Sequence, residues 1–330
     1  MKKVKILSTG SYVPPKVLTN FDLEKMVDTS NEWIITRTGI RERRIADENV
    51  STSDLAVEAA KKCLNKVGYK PEDVDTIIVA TITPDMFFPS TACVVHKKLG
   101  GKNEPAAFDI SAACSGFIYG LIIAEGLLKT GKSKNLLLIA ADVLSKFTNW
   151  QDRNTCVLFG DGAGAMLLTV VEDDEEYDAI LSTYLAANGN YEELLYIPAG
   201  GSRMPASKET VEKKLHTIFM SGREVFKVAV TKMVEAIFKT CELAGIQPQQ
   251  LDLIIPHQAN LRIINAIGER LNVDQTKVFV NVDRYGNMSA ATVIVGLDEA
   301  ISEGIVKKGS LVELVAFGGG FTWGGVIIKL

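Results

Sequence analysis

Apolar residues fall into two patterns along this chain, and the patterns alternate. Short, near-continuous blocks predict strands buried on both faces: AAFDI (106–110), NLLLIAADV (135–143), LDLII (251–255), KVFVNV (277–282) and SLVELVAF (310–317). Longer segments with helical spacing run between them. VEAAKKCLNKVG (57–68) ends in a glycine suited to a helix C-cap, and the stretch through Leu128 and the segment 291–303 predict two more helices. Alternation of this kind predicts an α/β protein.

The pattern also repeats. VEAAKKCLNKVGYKPEDVDTII (57–78) aligns without a gap on VEAIFKTCELAGIQPQQLDLII (234–255), with nine identities in 22 positions. Chance would give roughly one or two. Each copy reads as a helix, a glycine stop, a proline turn and a buried strand, and further strand–loop–helix units follow each. Two α/β halves, 1–172 and 173–330, are expected, joined by a solvated turn at the acidic run EDDEE (172–176).

Composition narrows the function classes. The 330 residues carry a formal charge of −4, with 47% hydrophobic and 23% charged residues. A mildly acidic chain is a poor candidate for nucleic-acid binding, and no apolar run reaches the roughly 18 residues of a membrane span. The five cysteines are widely spaced, with no C-x-x-C pair, which argues against a disulfide scaffold or a zinc site and for a reducing, cytoplasmic location.

The candidate chemistry starts at FDISAACSGFIYG (108–120). Cys114 stands where a strand is expected to stop and a helix to begin, among small residues that let a substrate approach. A helix N-terminus there is expected to lower the thiol's pKa. In the second half, His257 follows a proline at the end of an apolar strand, and Asn287 lies in the loop after KVFVNV. Ligands of α/β folds gather at such strand ends, so packing of the halves could bring these three residues together.

In its segments DISAACSGF, PHQAN and YGNMSAAT the chain resembles the β-ketoacyl-acyl-carrier-protein synthase III family. TSNEWIITRTGIRERR (29–44), QDRNTCVLFGDGAGA (151–165), SGREVFK (221–227) and AFGGGFTWG (316–324) extend the likeness over essentially the whole chain. The resemblance implies a thiolase fold, two duplicated halves in five αβαβα layers. It implies an acyltransferase of fatty-acid synthesis that condenses an acyl-CoA, acetyl-CoA by default, with malonyl-acyl-carrier protein to give a 3-oxoacyl product. Coenzyme A enters as a thioester substrate, and neither a metal nor a resident cofactor is implied.

Site residues follow from the same likeness. Cys114 would take the acyl group, and His257 and Asn287 would hold the malonyl thioester oxygen. The backbone N–H groups of Cys114 and Gly319 would form an oxyanion hole, the glycine run allowing close backbone approach. Trp33, Arg37, Arg153, Gly222, Phe226, Ala259 and Asn260 would meet coenzyme A or its pantetheine arm. Arg262 would dock the carrier protein. Phe88 and Phe317 would shape the acyl pocket, Phe88 across a homodimer interface.

Other readings of these residues are plainer. Cys63, Cys93, Cys156 and Cys241 read as packing residues, His96 as solvated, and GDGAGA (160–165), which lacks a following K-[ST], as a tight structural turn. The order Cys, His, Asn also occurs in papain-like hydrolases, which lack the duplicated pattern. A thiolase would need a second cysteine near the C-terminal glycines, and an elongating synthase a second histidine at position 287. A 3-hydroxy-3-methylglutaryl-CoA synthase would need a glutamate beside Cys114. A thiolase-fold acyltransferase with another starter or acceptor, and a non-catalytic acyl-binding protein, remain the alternatives.

Overall fold

The computed structural model describes residues 2–171 and 178–330. The acidic run 172–176, and with it the expected junction of the halves, lies outside the described residues.

Each half is built on one sheet. Strands Lys3–Tyr12, Asp161–Val171, Asn135–Val143, Thr76–Ala80 and Ala106–Ile110 lie side by side in that order. In the second sheet the order is Leu253–Pro256, Leu311–Gly318, Thr322–Lys329 and Ile180–Ala187. Helices Gly116–Lys129 and Ala291–Ser302 pack between the sheets, touching both. Helices Thr52–Asn65 and Thr91–Leu99 cover the outer face of the first sheet, and Gly222–Ala244 and Leu261–Leu271 lie on the far side of the second. These are the five layers expected.

The middle layer explains why its helices read as apolar all round. Phe117, Ile118, Leu121 and Leu128 are fully buried, as are Val293, Ile294 and Leu297. Each such side chain contributes about 1.5–3 kcal/mol on leaving water. The repeat survives in detail. Gly68 and Gly245 both take φ of +69°, and Pro71 and Pro248 both open a 3-10 turn. Asp75 Oδ2 accepts from Lys134 N at 2.9 Å, and Asp252 Oδ2 accepts from Leu311 N at 2.8 Å, 177 residues on in each case.

Four expectations are corrected. KVFVNV forms no strand: it makes one bridge, Val278 to Ile254, before the short helix Val282–Tyr285. The Gln258 side chain takes the ladder's place, donating to Phe279 O and accepting from Asn281 N at 2.9 Å. GDGAGA is no turn but leads into the strand Asp161–Val171. Its glycines make room for the Asn287 segment: a Cβ would stand 2.4 Å from Tyr285 O at Gly160, from Met288 Sδ at Gly162 and from Ile294 Cγ2 at Gly164. Cys93 is exposed rather than packed, and His96 is half-buried with Nε2 unpartnered, while Cys63, Cys156 and Cys241 are buried.

Candidate active site

Cys114 sits in a 3-10 turn, Ala113–Ser115, that runs straight into helix Gly116–Lys129. The turn is held by Ser115, whose hydroxyl donates to Ala112 O at 2.7 Å and meets Thr322 Oγ1 at 2.7 Å. Ala113 takes φ of +47°, a strained value for a residue with a Cβ. The end of strand Leu311–Gly318 presses against this turn. A Cβ on Gly318 would lie 2.6 Å from Cys114 N, and one on Gly319 would lie 2.9 Å from Leu195 O. The glycine run is therefore needed for close approach at two successive positions.

His257 directly follows the strand Leu253–Pro256, and its N–H donates to Val315 O at 2.8 Å. Its Nδ1 lies 2.6 Å from Thr292 Oγ1. Burial drives the imidazole down to about 3, so the ring is neutral at physiological pH. Asn287 is stitched to the loop beneath it, with N donating to Leu158 O at 2.8 Å and O accepting from Gly160 N at 3.0 Å. Its side-chain Oδ1 accepts from Ser289 N at 2.8 Å, which leaves Nδ2 as the atom free to serve a ligand.

Cys114, His257 and Asn287 line one cavity of about 490 Å³. Gly222, Phe226, Ala259, Asn260, Phe317 and Gly319 line it too. Trp33, Arg37, Arg153 and Arg262 lie outside its wall but are tied to it. Helix Asn31–Thr38 presents Trp33, with the Arg153 and Arg37 guanidinium carbons 5.1 and 5.7 Å from its ring centroid. Asn260 caps helix Leu261–Leu271 and donates from Nδ2 to Arg37 O at 3.0 Å. The Arg262 guanidinium lies 5.5 Å from the centroid of Phe226, a cavity residue. Phe88 lies apart, 85% exposed beside an equally exposed Phe87.

The thiol differs from expectation. Burial pushes Cys114 up to about 12, the nearby Asp142 carboxyl adds to the rise, and the Ser289 hydroxyl offsets part of it. A helix terminus contributes about 0.3–2 kcal/mol, whereas full burial can shift a pKa by 3–5 units, each worth about 1.4 kcal/mol. Desolvation wins, and the resting sulfur is a thiol. Ser289, Thr292, Gln258 and Gly318 are the residues that sequence reasoning missed. All lie in or beside the motifs quoted above, but their contacts join segments far apart in the chain.

Comparison with known proteins shows the family. Residues 108–189 match the family model of 3-oxoacyl-[acyl-carrier-protein] synthase III, and residues 241–330 match the model of its C-terminal part. The β-ketoacyl-[acyl-carrier-protein] synthase III of Caldanaerobacter subterraneus is 60% identical over 98% of this chain and 97% of its own. The chain belongs to the β-ketoacyl-acyl-carrier-protein synthase III family. It is thus a condensing acyltransferase of fatty-acid synthesis, with the thiolase fold of that family. The crystal structure of the Aquifex aeolicus synthase III superposes with a TM-score of 0.90 at 51% identity, covering 99% of this chain and 100% of that one. The Thermus thermophilus synthase III gives 0.90 at 43% identity, covering 98% of both.

Proposed function

We propose that this synthase III primes chain growth by moving an acyl group from acyl-CoA to Cys114 and then onto malonyl-acyl-carrier protein with loss of carbon dioxide. The observation that carries the reading is the meeting of a thiol, a neutral imidazole and an oriented amide on one cavity. Acyl transfer needs the nucleophile and donors for a tetrahedral oxyanion, the role given to the Cys114 and Gly319 N–H groups. Decarboxylation needs donors to the malonyl thioester oxygen as it becomes an enolate, the role given to His257 and Asn287. Trp33 and Arg153 would hold the adenine of coenzyme A by stacking and cation–π contact. Gly222, Phe226, Ala259 and Asn260 would line the pantetheine path, with Arg37 at its entrance and Phe317 against the acyl group.

The test is product formation from a panel of acyl-CoAs with malonyl-carrier protein. The proposal expects 3-oxoacyl-carrier protein with acetyl-CoA or a short branched acyl-CoA. An acylated Cys114 that yields no such product would favour another acceptor, and no acylation at all would favour a binding protein.

Arg262 is proposed to guide the acidic carrier protein to the cavity. Arg262→Glu should weaken use of malonyl-carrier protein roughly tenfold at low salt and leave acyl-CoA transfer intact, the deficit fading as salt rises. Steady-state rates at two ionic strengths check this.

A homodimer is proposed on two features. Phe87 and Phe88 are 85% exposed, and strand Ala106–Ile110 is an open edge of its sheet. Sedimentation velocity should find a dimer, and replacing Phe87 and Phe88 together by glutamate should yield monomers. A cytoplasmic location suits a chain that works through a free thiol.

A further inference from the structure

Thr292 lies on helix Ala291–Ser302, five residues beyond Asn287, and is fully buried. Its hydroxyl makes two contacts: His257 Nδ1 at 2.6 Å and Ser289 O at 3.0 Å. A hydroxyl has one proton to give, and a carbonyl can only accept. If Thr292 donates to Ser289 O, it accepts from a protonated Nδ1, and both contacts are hydrogen bonds. If it donates to Nδ1, the contact with Ser289 O is lost. The first arrangement keeps one more bond in a buried site, worth about 0.5–1.5 kcal/mol. It also leaves Nε2, on the opposite side of the ring, without a proton.

That tautomer conflicts with a simple donor role for His257, because a bare Nε2 cannot donate to an enolate. The conflict resolves if the histidine first collects a proton. The resting Cys114 is a thiol that needs a base, and His257 shares its cavity wall.

We propose that Thr292 holds His257 in the Nδ1-protonated tautomer, so that Nε2 removes the Cys114 proton in acyl transfer and then presents that same proton to the malonyl thioester. The inference rests on the condensing reaction proposed above. In the first half, Cys114 sulfur bonds to the acyl carbon, its proton passes to Nε2, and the broken bond's electrons leave with coenzyme A thiolate, which solvent protonates. In the second, the bond to the malonyl carboxylate breaks, carbon dioxide departs, and the electron pair enters an enolate held by Nε2–H and Asn287 Nδ2. The enolate carbon bonds to the acyl carbon, Cys114 leaves as thiolate, and Nε2 returns the proton. His257 ends as it began, and one solvent proton is consumed by coenzyme A. Thr292 touches no reacting atom; it is a positioning residue.

Nitrogen-15 NMR of histidine-labelled protein reads the tautomer directly. There are three histidines, so removing His96 and His216 in turn assigns the His257 ring. The wild-type ring at neutral pH should show a protonated Nδ1 and a bare Nε2. Thr292→Ser should keep that spectrum and acylate within about threefold of the wild-type rate. Thr292→Val keeps the shape but removes the acceptor. It should shift the ring towards the Nε2-protonated form and slow acylation by acyl-CoA about 10²-fold, the loss expected for a general base. An Nε2-protonated wild-type ring would overturn the proposal, as would a folded Thr292→Val protein that acylates at the normal rate. If Thr292→Val fails to fold, the wild-type and Thr292→Ser spectra still decide. A wild-type protein that cannot be acylated at all would instead refute the condensing reading, and the tautomer would still be measurable.

Discussion

Cys114→Ala is expected to form no acyl-enzyme with any acyl-CoA, and to release carbon dioxide from malonyl-carrier protein about 10²–10³-fold more slowly, because no thiol proton reaches His257 Nε2 and Asn287 alone serves the enolate. Asn287→Ala is expected to impair the second step alone. It should acylate normally and lose decarboxylation by roughly 10²–10³, the usual cost of one oxyanion donor. The contrast follows from geometry. Cys114 carries the nucleophile in the turn that opens a helix of one half, whereas Asn287 hangs from a loop of the other, its amide fixed by Ser289 N. Intact-protein mass after acyl-CoA exposure reads the first step, and labelled carbon dioxide from malonyl-carrier protein reads the second. If Asn287→Ala blocked acylation and spared decarboxylation, its role would be to orient His257, as in a papain-like triad.

Gly318→Ala should be nearly as damaging, although it removes no functional group. The added Cβ would stand 2.6 Å from Cys114 N, 3.0 Å from Ser115 N and 3.1 Å from Ala113 Cβ. Two of these neighbours are backbone, already committed to a turn with Ala113 at φ of +47°, so they cannot move aside cheaply. Displacing the Cys114 N–H and sulfur by about 1 Å should cost about 10² in acyl transfer. Overpacking should lower stability by about 1–3 kcal/mol as well. Gly126→Ala is the control, since a Cβ there meets nothing within 4 Å and the position is helical. It should leave the rate unchanged and stabilise by about 0.5–1 kcal/mol. Single-turnover acylation and thermal melts on both variants check this.

The parts of the structure legible in sequence are those set by local pattern. Strands Ala106–Ile110 and Asn135–Val143 fall where their apolar blocks predicted, and the repeat carried its glycine and proline turns into both halves. KVFVNV was misleading because its backbone is satisfied by Gln258, a long-range side-chain contact that apolar patterning does not record. The glycines of GDGAGA read as turn residues in isolation. In the fold they are clearances for Tyr285, Met288 and Ile294 in the other half of the chain.

At the site, residue identity was legible and protonation was not. Cys114, His257 and Asn287 line one cavity, Cys114 and His257 just past strand ends of the packed halves and Asn287 just past the short helix Val282–Tyr285. A helix N-terminus visible in sequence suggested a thiolate, but the depth of burial, which sets the larger effect, appears only once five layers close over the sulfur. The same burial fixes His257 as neutral and makes the single proton of Thr292 decisive.

The central claim is that Cys114 carries the starter between two substrates, and intact-protein mass spectrometry in sequence tests it most directly. Addition of acetyl-CoA should raise the mass by one acyl group, mapped to the Cys114 peptide. Subsequent malonyl-carrier protein should remove it, with 3-oxoacyl-carrier protein appearing in equal amount. An adduct mapped elsewhere, or one on Cys114 that malonyl-carrier protein leaves in place, would contradict the account.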